Sequence, residues 1–230
     1  KSGRESPYFF NLGRVADGLS LAALGEAYAE AIMAAGLEFD VLFGPAYKGI
    51  PIAVATSIAL ASKGVEVHVA YNRKEAKGHG EGGWLVGAEV SGRVLLVDDV
   101  LTSGKAIREA VSLINGTKVT LAGVVIAMDR QEVNAQGATA VDALSMELGA
   151  SVISIAKMSD LIAYLDEDGS QAALLARMTE VRLLQLECLL LRRFWRRLHA
   201  LECSLPLGRR APIEVELVGF VRPRVARRCG

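Results

Sequence analysis

Cysteine is scarce in this chain of 230 residues. The three cysteines, Cys188, Cys203 and Cys229, all lie near the end, so residues 1–187 hold no thiol for a disulfide or a thiolate metal site. We find no serine-triad pattern and no redox motif either. For a body without disulfides we expect a cytoplasmic location.

Long apolar runs are also missing. The longest such stretch, Leu183–Leu191, is interrupted by Gln185, Glu187 and Cys188 and is too short and polar to span a bilayer. The chain opens on Lys1-Ser2-Gly3-Arg4, without an initiator Met or a charged-then-apolar signal segment. We expect that the natural N-terminus is missing.

Lysine and aspartate disappear after residue 180, although the formal net charge of the whole chain is zero. Residues 181–230 carry eleven arginines and four glutamates, a net charge of +7, which leaves −7 for residues 1–180. We therefore divide the chain into a body, 1–180, and an Arg/Leu-rich tail, 181–230, of unknown role. Within the tail, Leu183–Leu201 has the spacing of a basic amphipathic helix that contacts a membrane surface, nucleic acid or a partner. The alternative is a tail that is not a selected extension, such as a shifted reading frame or a fusion.

The stretch Arg93–Ala106 organises the body. Val94–Val97 predicts a strand buried on both faces, followed by the acids Asp98 and Asp99, the loop Thr102-Ser103-Gly104 and a helix over Ala106–Ile114. Free N–H groups at a helix start bind anions, and paired carboxylates beside such a site suit ribose hydroxyls or Mg²⁺. The alternative is an ordinary strand whose acids cap the next helix.

A second strand–loop–helix unit precedes it. Val41–Phe43 predicts a short buried strand, and Gly44–Gly49 predicts a loop that contains Tyr47 and Lys48 and enters a helix with Pro51 in its first turn. Before it, Leu19–Ala35 predicts a helix with Ser20 as cap and Gly36 as stop. A plain βα turn with an exposed lysine is the alternative to a phosphate site here.

The segment Asn72–Gly83 follows a predicted strand, Val65–Tyr71, and is basic at first and then glycine-rich. Such a segment predicts a mobile surface loop or hairpin, and its cations suit a lid over pyrophosphate. A solvated hairpin is the alternative. The remaining predictions are strands over Trp84–Val86, Lys118–Met128 and Val152–Ile155, helices over Thr139–Leu148, Lys157–Leu165 and Gly169–Thr179, and an acidic turn at 166–168.

Three segments of the chain together resemble the type I phosphoribosyltransferases. Val94–Ala106 resembles their signature for phosphoribosyl pyrophosphate (PRPP). Arg73–Glu81 resembles the lid of the orotate branch, and Lys1–Asn11 resembles a segment near the start of that branch. The resemblance covers about residues 1–180. It implies an α/β fold with a central, mostly parallel twisted sheet flanked by helices, a small hood and a flexible lid loop.

The resemblance also implies site residues. Catalytic groups would be Lys77, His79, Asp98 and Asp99. PRPP would be bound by Lys1, Tyr47, Lys48, Arg73, Lys74, Lys77, His79, Asp98, Asp99, Val100, Leu101, Thr102, Ser103, Gly104, Lys105 and Ala106, with a strained backbone at Ala46–Tyr47. Orotate would be bound by Lys1, Phe9, Phe10, Thr102 and Arg130. On the residues alone, Phe9 and Phe10 also suit core packing, and Arg130 a surface ion pair.

The reaction that the resemblance implies is transfer of the phosphoribosyl group of PRPP to N1 of orotate. Mg²⁺ would be the cofactor, held mainly through PRPP and through water by Asp98 or Asp99, and a homodimer would share the lid between subunits. Nucleic acid and membrane are not expected partners of the body. A non-catalytic PRPP-binding regulator and an enzyme of this fold with a purine or uracil acceptor are the rival hypotheses.

Overall fold

The computed structural model describes residues 12–77, 83–101, 104–115, 118–133, 137–169, 172–173, 175–176 and 178–179. All of them lie in the first of the two units into which the chain divides, Lys1–Glu187. After a 3-10 turn at Leu12–Arg14, the helices are α1 (Gly18–Ala34), α2 (Gly49–Ser62), α3 (Lys105–Ile114), α4 (Ala140–Leu148) and α5 (Met158–Asp168). The strands are β1 (Val41–Gly44), β2 (His68–Lys77), β3 (Gly83–Gly87), β4 (Gly92–Val100), β5 (Val119–Asp129) and β6 (Val152–Lys157).

These strands form a six-stranded sheet in the order β3-β2-β1-β4-β5-β6. Only the edge strand β3 runs antiparallel, to β2, and the other pairings within the sheet are parallel. The predicted mostly parallel sheet is therefore confirmed. After β1 the chain continues to β2 on one side of the sheet, and after β4 it continues to β5 on the other side. The crevice at the carboxyl ends of β1 and β4 is therefore the topological switch point.

Helices pack against both faces of strand β4. Val94 and Leu96 belong to a core cluster that includes residues of α3 and α4, and Leu95 and Val97 belong to one that includes residues of α1 and α2. Because side chains alternate along a strand, Asp98 continues the first face and Asp99 the second. The carboxylates of the acidic pair consequently leave the strand on opposite sides.

Helices α1 and α2 approach closely at Gly25. A Cβ atom at this position would lie 2.4 Å from the carbonyl oxygen of Ala55, so only glycine fits at the contact. The approach places the following turn of α1, with Tyr28, Ala29 and Ile32, in the core.

Several predicted boundaries were wrong. Helix α1 is capped by Asp17, whose carboxylate accepts hydrogen bonds from the N–H and the hydroxyl of Ser20 at 2.9 and 2.6 Å, so Ser20 is not the cap. The acidic turn at 166–168 is the last turn of α5, which ends at Gly169 with φ +63°. Strand β2 begins at His68 rather than at Val65 and continues through Lys77, into the segment predicted as a loop or hairpin.

The predicted helix Gly169–Thr179 lies only partly among the described residues, of which 172–173, 175–176 and 178–179 are helical. The tail, 181–230, lies outside them. No helix in the described part of the chain has the length and apolar character needed to cross a membrane.

Candidate active site

Two loops meet at the switch point. One, residues 45–48, leaves β1 and enters α2, and the other leaves β4 at Leu101 and enters α3 at Gly104. Both follow the carboxyl ends of parallel neighbouring strands, where ligands bind in open α/β sheets. The two predicted phosphate loops therefore lie side by side, although about fifty residues separate them in the chain.

The loop after β1 is packed tightly against β4. A Cβ atom at Gly44 would lie 2.2 Å from the carbonyl oxygen of Gly49, and one at Gly49 would lie 2.8 Å from the carbonyl oxygen of Val97. Inside the loop, the peptide bond between Ala46 and Tyr47 is cis. The N–H of Ala46 donates to Oδ1 of Asn72 in β2 at 3.0 Å, which ties the loop to the neighbouring strand.

Lys48 and the acidic pair form the charged centre of the site. Nζ of Lys48 lies 2.5 Å from Oδ2 of Asp99, and 56% of the lysine side chain remains exposed while 16% of the Asp99 side chain does. The Asp98 carboxylate accepts the N–H of Asp99 at 2.9 Å. Burial raises the pKa of Asp98 to about 6, and the charge of Asp99 adds to this while Lys48 and the N–H bond oppose it. Both acids lie inside β4, in its last three residues, so they do not cap α3.

The start of α3 presents backbone N–H groups beside these acids. Its cap residue is Gly104 with φ +67°, which supplies no side chain to the first turn, and Lys105 and Ala106 begin the helix. Lys105 points outward and lies 3.5 Å from Glu109. Open N–H groups at a helix start, close to a strand end, are the arrangement that binds a phosphate group.

Arg108 supports this loop from one turn further along α3. Its Nε and Nη2 donate to the two oxygens of Glu147 in α4 at 2.7 Å each, a bidentate ion pair. A Cβ atom at Gly104 would lie 3.0 Å from Nη1 of Arg108, so the guanidinium lies directly under the cap.

The stem of the predicted lid is the antiparallel pair β2–β3, whose described part ends at the pairing of Lys77 with Gly83. Arg73 and Lys74 lie in β2, as part of that stem. Nζ of Lys74 lies 4.9 Å from the ring centre of Tyr47, a cation–π contact between the stem and the loop after β1. The predicted hairpin is therefore present at its base, and residues 78–82 lie outside the described structure.

Arg130 directly follows β5, at the same edge of the sheet. Its Nη2 lies 2.6 Å from Oε1 of Glu132, which is the ion pair considered as the alternative role, and about a fifth of its side chain is exposed. The neighbouring Gln131 has φ +51°, and its N–H donates to Asp129 at 2.8 Å. Arg130 thus lies at the carboxyl end of β5, the strand next to β4, and its role toward orotate stays a prediction.

Other predicted site residues lie outside the described structure. They are Lys1, Phe9, Phe10, His79, Thr102 and Ser103, together with the side chain of Lys77. Their assigned roles stay predictions.

Two contacts of the site could not be predicted from the sequence. Tyr28 is one residue of an apolar helix face, yet its hydroxyl reaches the carbonyl oxygen of Asp98 at 2.7 Å. Asn72 stands among the charges of the lid stem, yet its side chain holds the loop after β1. Both contacts join residues far apart in the chain, which spacing rules do not cover.

The chain shares its sequence and fold with known proteins. A family model described as the phosphoribosyl transferase domain matches residues 13–145. Orotate phosphoribosyltransferase from Vibrio cholerae is 54% identical over 171 residues, 74% of this chain and 80% of the relative, and that from Salmonella typhi is 52% identical over 183 residues, 79% and 86% of the two chains. The crystal structure of orotate phosphoribosyltransferase from Francisella tularensis has a TM-score of 0.69 at 35% identity and covers 79% of this chain and 84% of that one.

These matches confirm the resemblance seen in the sequence and the fold expected from it. The matched family region contains both loops of the switch point, the acidic pair and the lid stem. The relatives are matched over four fifths or more of their length. The chain therefore belongs to the orotate phosphoribosyltransferase family.

Proposed function

We propose that this chain transfers the phosphoribosyl group of PRPP to N1 of orotate, giving orotidine 5′-monophosphate and pyrophosphate, a step of de novo pyrimidine (UMP) biosynthesis. The names of relatives at 52–54% identity support this reaction. The observation that carries it is the meeting of Asp98, Asp99, Lys48 and the start of α3 at one switch point.

PRPP would bind across the two loops. Asp98 and Asp99 would accept hydrogen bonds from the ribose hydroxyls, and the backbone from Val100 to Ala106, including Leu101, Thr102, Ser103, Gly104 and Lys105, would hold the 5′-phosphate at the start of α3. Tyr47 and Lys48 would face the pyrophosphate. Because Lys48 is paired with Asp99, substrate binding would replace this contact with one to the pyrophosphate.

The chemical step moves charge from the ribose to the leaving group. The bond between C1 of the ribose and the pyrophosphate oxygen breaks, and its electron pair leaves with the pyrophosphate. The bond from C1 to N1 of orotate forms, and the N1 proton passes to the departing pyrophosphate. Positive charge that develops on the ribose is stabilised by the acids. Negative charge on pyrophosphate is stabilised by Lys1, Lys48, Arg73, Lys74, Lys77 and His79.

The residues present fit a magnesium ion that is held mainly by the substrate. Among the described residues, no group of three or more His, Cys, Asp or Glu side chains is placed to form a metal cage. Mg²⁺ is commonly bound by one or two carboxylates together with substrate phosphates, and Asp98 and Asp99 supply such carboxylates, directly or through water. When bound, the ion adds positive charge that neutralises the pyrophosphate.

Orotate would lie between Arg130 and the residues of the chain start and phosphate loop, Lys1, Phe9, Phe10 and Thr102. Arg130 would exchange Glu132 for the carboxylate or carbonyl oxygens of the pyrimidine. A planar ring with a carboxylate suits a guanidinium and two phenyl rings, which supports orotate over an uncharged acceptor.

We further propose a homodimer in the cytoplasm, with a body over residues 1–180 and a tail over residues 181–230 of unknown role. Lys77, where the described stem ends, and His79 beyond it would act in the site of the partner subunit. The direction of the β2–β3 stem, which extends past the last pairing of β2 with β1 at Tyr71, supports a lid that projects from the sheet.

The experiment is a spectrophotometric assay of orotate consumption with PRPP and Mg²⁺, with uracil and hypoxanthine as control acceptors. Loss of orotate that requires PRPP and Mg²⁺, with no reaction of the other acceptors, is the expected result. A protein that binds PRPP but consumes none of the three would contradict the enzyme and favour a PRPP-binding regulator.

A further inference from the structure

Tyr28 is a buried polar side chain that the proposed reaction does not use. It is completely buried in α1, among aliphatic residues that include Leu42, Leu95 and Val97. A buried phenol needs a hydrogen-bond partner, and this hydroxyl donates to the backbone carbonyl of Asp98 at 2.7 Å. Its polar atom is therefore directed at the acidic pair from below the site.

The peptide group between Asp98 and Asp99 is held at both of its polar atoms. Its carbonyl oxygen accepts the Tyr28 hydroxyl, and its N–H donates to Oδ1 of Asp98 at 2.9 Å. The two carboxylates leave the backbone on either side of this peptide and toward opposite faces of the sheet. The orientation of the peptide plane consequently sets the direction of both carboxylates.

The sheet itself restrains this peptide only on one side. The pairing of β1 with β4 ends at Phe43 opposite Leu96, because the chain turns away at Gly44. Beyond that point β4 is paired with β5, with Asp98 opposite Ile126. Tyr28 adds a restraint from helix α1, and its hydroxyl also lies within hydrogen-bonding reach of the backbone of Ala127 in β5.

The hydroxyl remains a donor over the working pH range. Burial raises the pKa of Tyr28 far above its usual value, and the negative charges of Asp98 and then Asp99 raise it further. The proton that bonds the Asp98 carbonyl is therefore always present.

We propose that Tyr28 is a positioning residue of the transferase: it fixes the peptide between Asp98 and Asp99 so that both carboxylates meet the ribose of PRPP. This inference rests on the proposed function. Tyr28 touches no reacting atom and acts through the backbone of Asp98.

The test is Tyr28→Phe, which keeps the ring in the core and removes only the hydroxyl. Loss of one hydrogen bond that orients the acids is expected to lower kcat/KM for PRPP by about three- to tenfold. The dissociation constant of PRPP, measured by calorimetry with Mg²⁺ in the absence of orotate, should rise in the same direction. The KM for orotate should be unchanged, since orotate is held by other residues.

Ile32→Val is the matched control. Ile32 lies one turn further along α1 in the same cluster, is buried, and carries no polar atom. It reports what a loss of packing does, and the urea midpoint of both variants is measured alongside. Equal kinetic losses in both variants, or wild-type PRPP binding and turnover in Tyr28→Phe, would overturn the inference. A wild type that binds PRPP without consuming orotate would refute the proposed reaction, while the comparison of PRPP binding still decides the role of Tyr28.

Discussion

At the scale of single residues, two cations of the candidate site form ion pairs with neighbouring carboxylates. Lys48 is held by Asp99 and Arg130 by Glu132, so these two cations, each proposed to meet a substrate anion, already have a carboxylate partner. Such pairs fix the direction of long side chains before binding, and a partly exposed pair contributes little to stability. The consequence is that removal of a site cation should reduce activity far more than stability.

The variant Lys48→Met tests this. We expect kcat/KM for PRPP to fall by about tenfold or more, because a charge proposed to meet the leaving group is lost, while the urea midpoint changes little. Lys63→Met is the control, since Lys63 also forms an ion pair on the same helix, with Glu26 at 2.7 Å, but at the end remote from the site. Comparable activity of the two variants would remove Lys48 from the mechanism.

At the scale of elements, β1 and β4 are joined near their amino ends, opposite the site. Asp40, just before β1, accepts the backbone N–H of Arg93 in β4 at 2.8 Å and two guanidinium hydrogen bonds at 3.2 and 2.9 Å. These bonds lower the pKa of Asp40 to about 2, with the side-chain bonds of Arg93 as the largest cause. They join the two strands whose other ends carry the two loops of the candidate site.

A pH dependence of stability follows from Asp40. Because its pKa is lower in the folded than in the unfolded chain, its contribution is complete above pH 4 and is lost as the pH falls through about 2. We expect Asp40→Asn to lower the urea midpoint at pH 7 and to match the wild type more closely near pH 2. Asp166→Asn, an exposed change in α5, is the control; a difference from wild type that does not shrink in acid would contradict the assignment.

The sequence predicts an element well when neighbouring residues determine it, and poorly when contacts between distant residues do. The strand over Val94–Val97 was predictable because a run of buried β-branched and aliphatic residues has few other uses. The predicted cap of α1 was wrong because Asp17 and Ser20 are both good capping residues and lie three positions apart. Only the structure shows that the Asp17 side chain accepts the backbone hydrogen bond. The contacts from Lys48 to Asp99 and from Tyr28 to Asp98 span 51 and 70 residues, and no pattern along the chain encodes them.

At the scale of the whole molecule, the proposed shared lid makes a prediction about mixed dimers. Lys77→Ala and Asp99→Ala subunits should each be nearly inactive alone, since one lacks a lid cation and the other an acid. Mixing them should restore activity, because one site of each mixed dimer combines a normal lid with a normal acidic pair. Recovery is measured after joint refolding, with each variant refolded alone as control, and its absence would contradict a shared site.

The tail gives a second prediction at this scale. Deletion of residues 181–230 should leave kcat and both KM values unchanged, because the matched family region ends at residue 145 and the described site lies within residues 28–147. Assays of the shortened and the full chain at equal concentration decide this. A large loss of activity would make the tail part of the catalytic unit.

The order of the sheet has one more consequence. Strands β3, β2 and β1 come from residues before 88 and strands β4, β5 and β6 from residues after 91, so each of these two parts of the chain builds one contiguous half of the sheet. These two parts meet along a seam of three residue pairs between β1 and β4, and each contributes one of the two loops of the candidate site. Cleavage of the backbone at the exposed Glu89 would therefore yield two fragments, each without one of the two loops. Enzymatic activity would then measure the association of the two fragments.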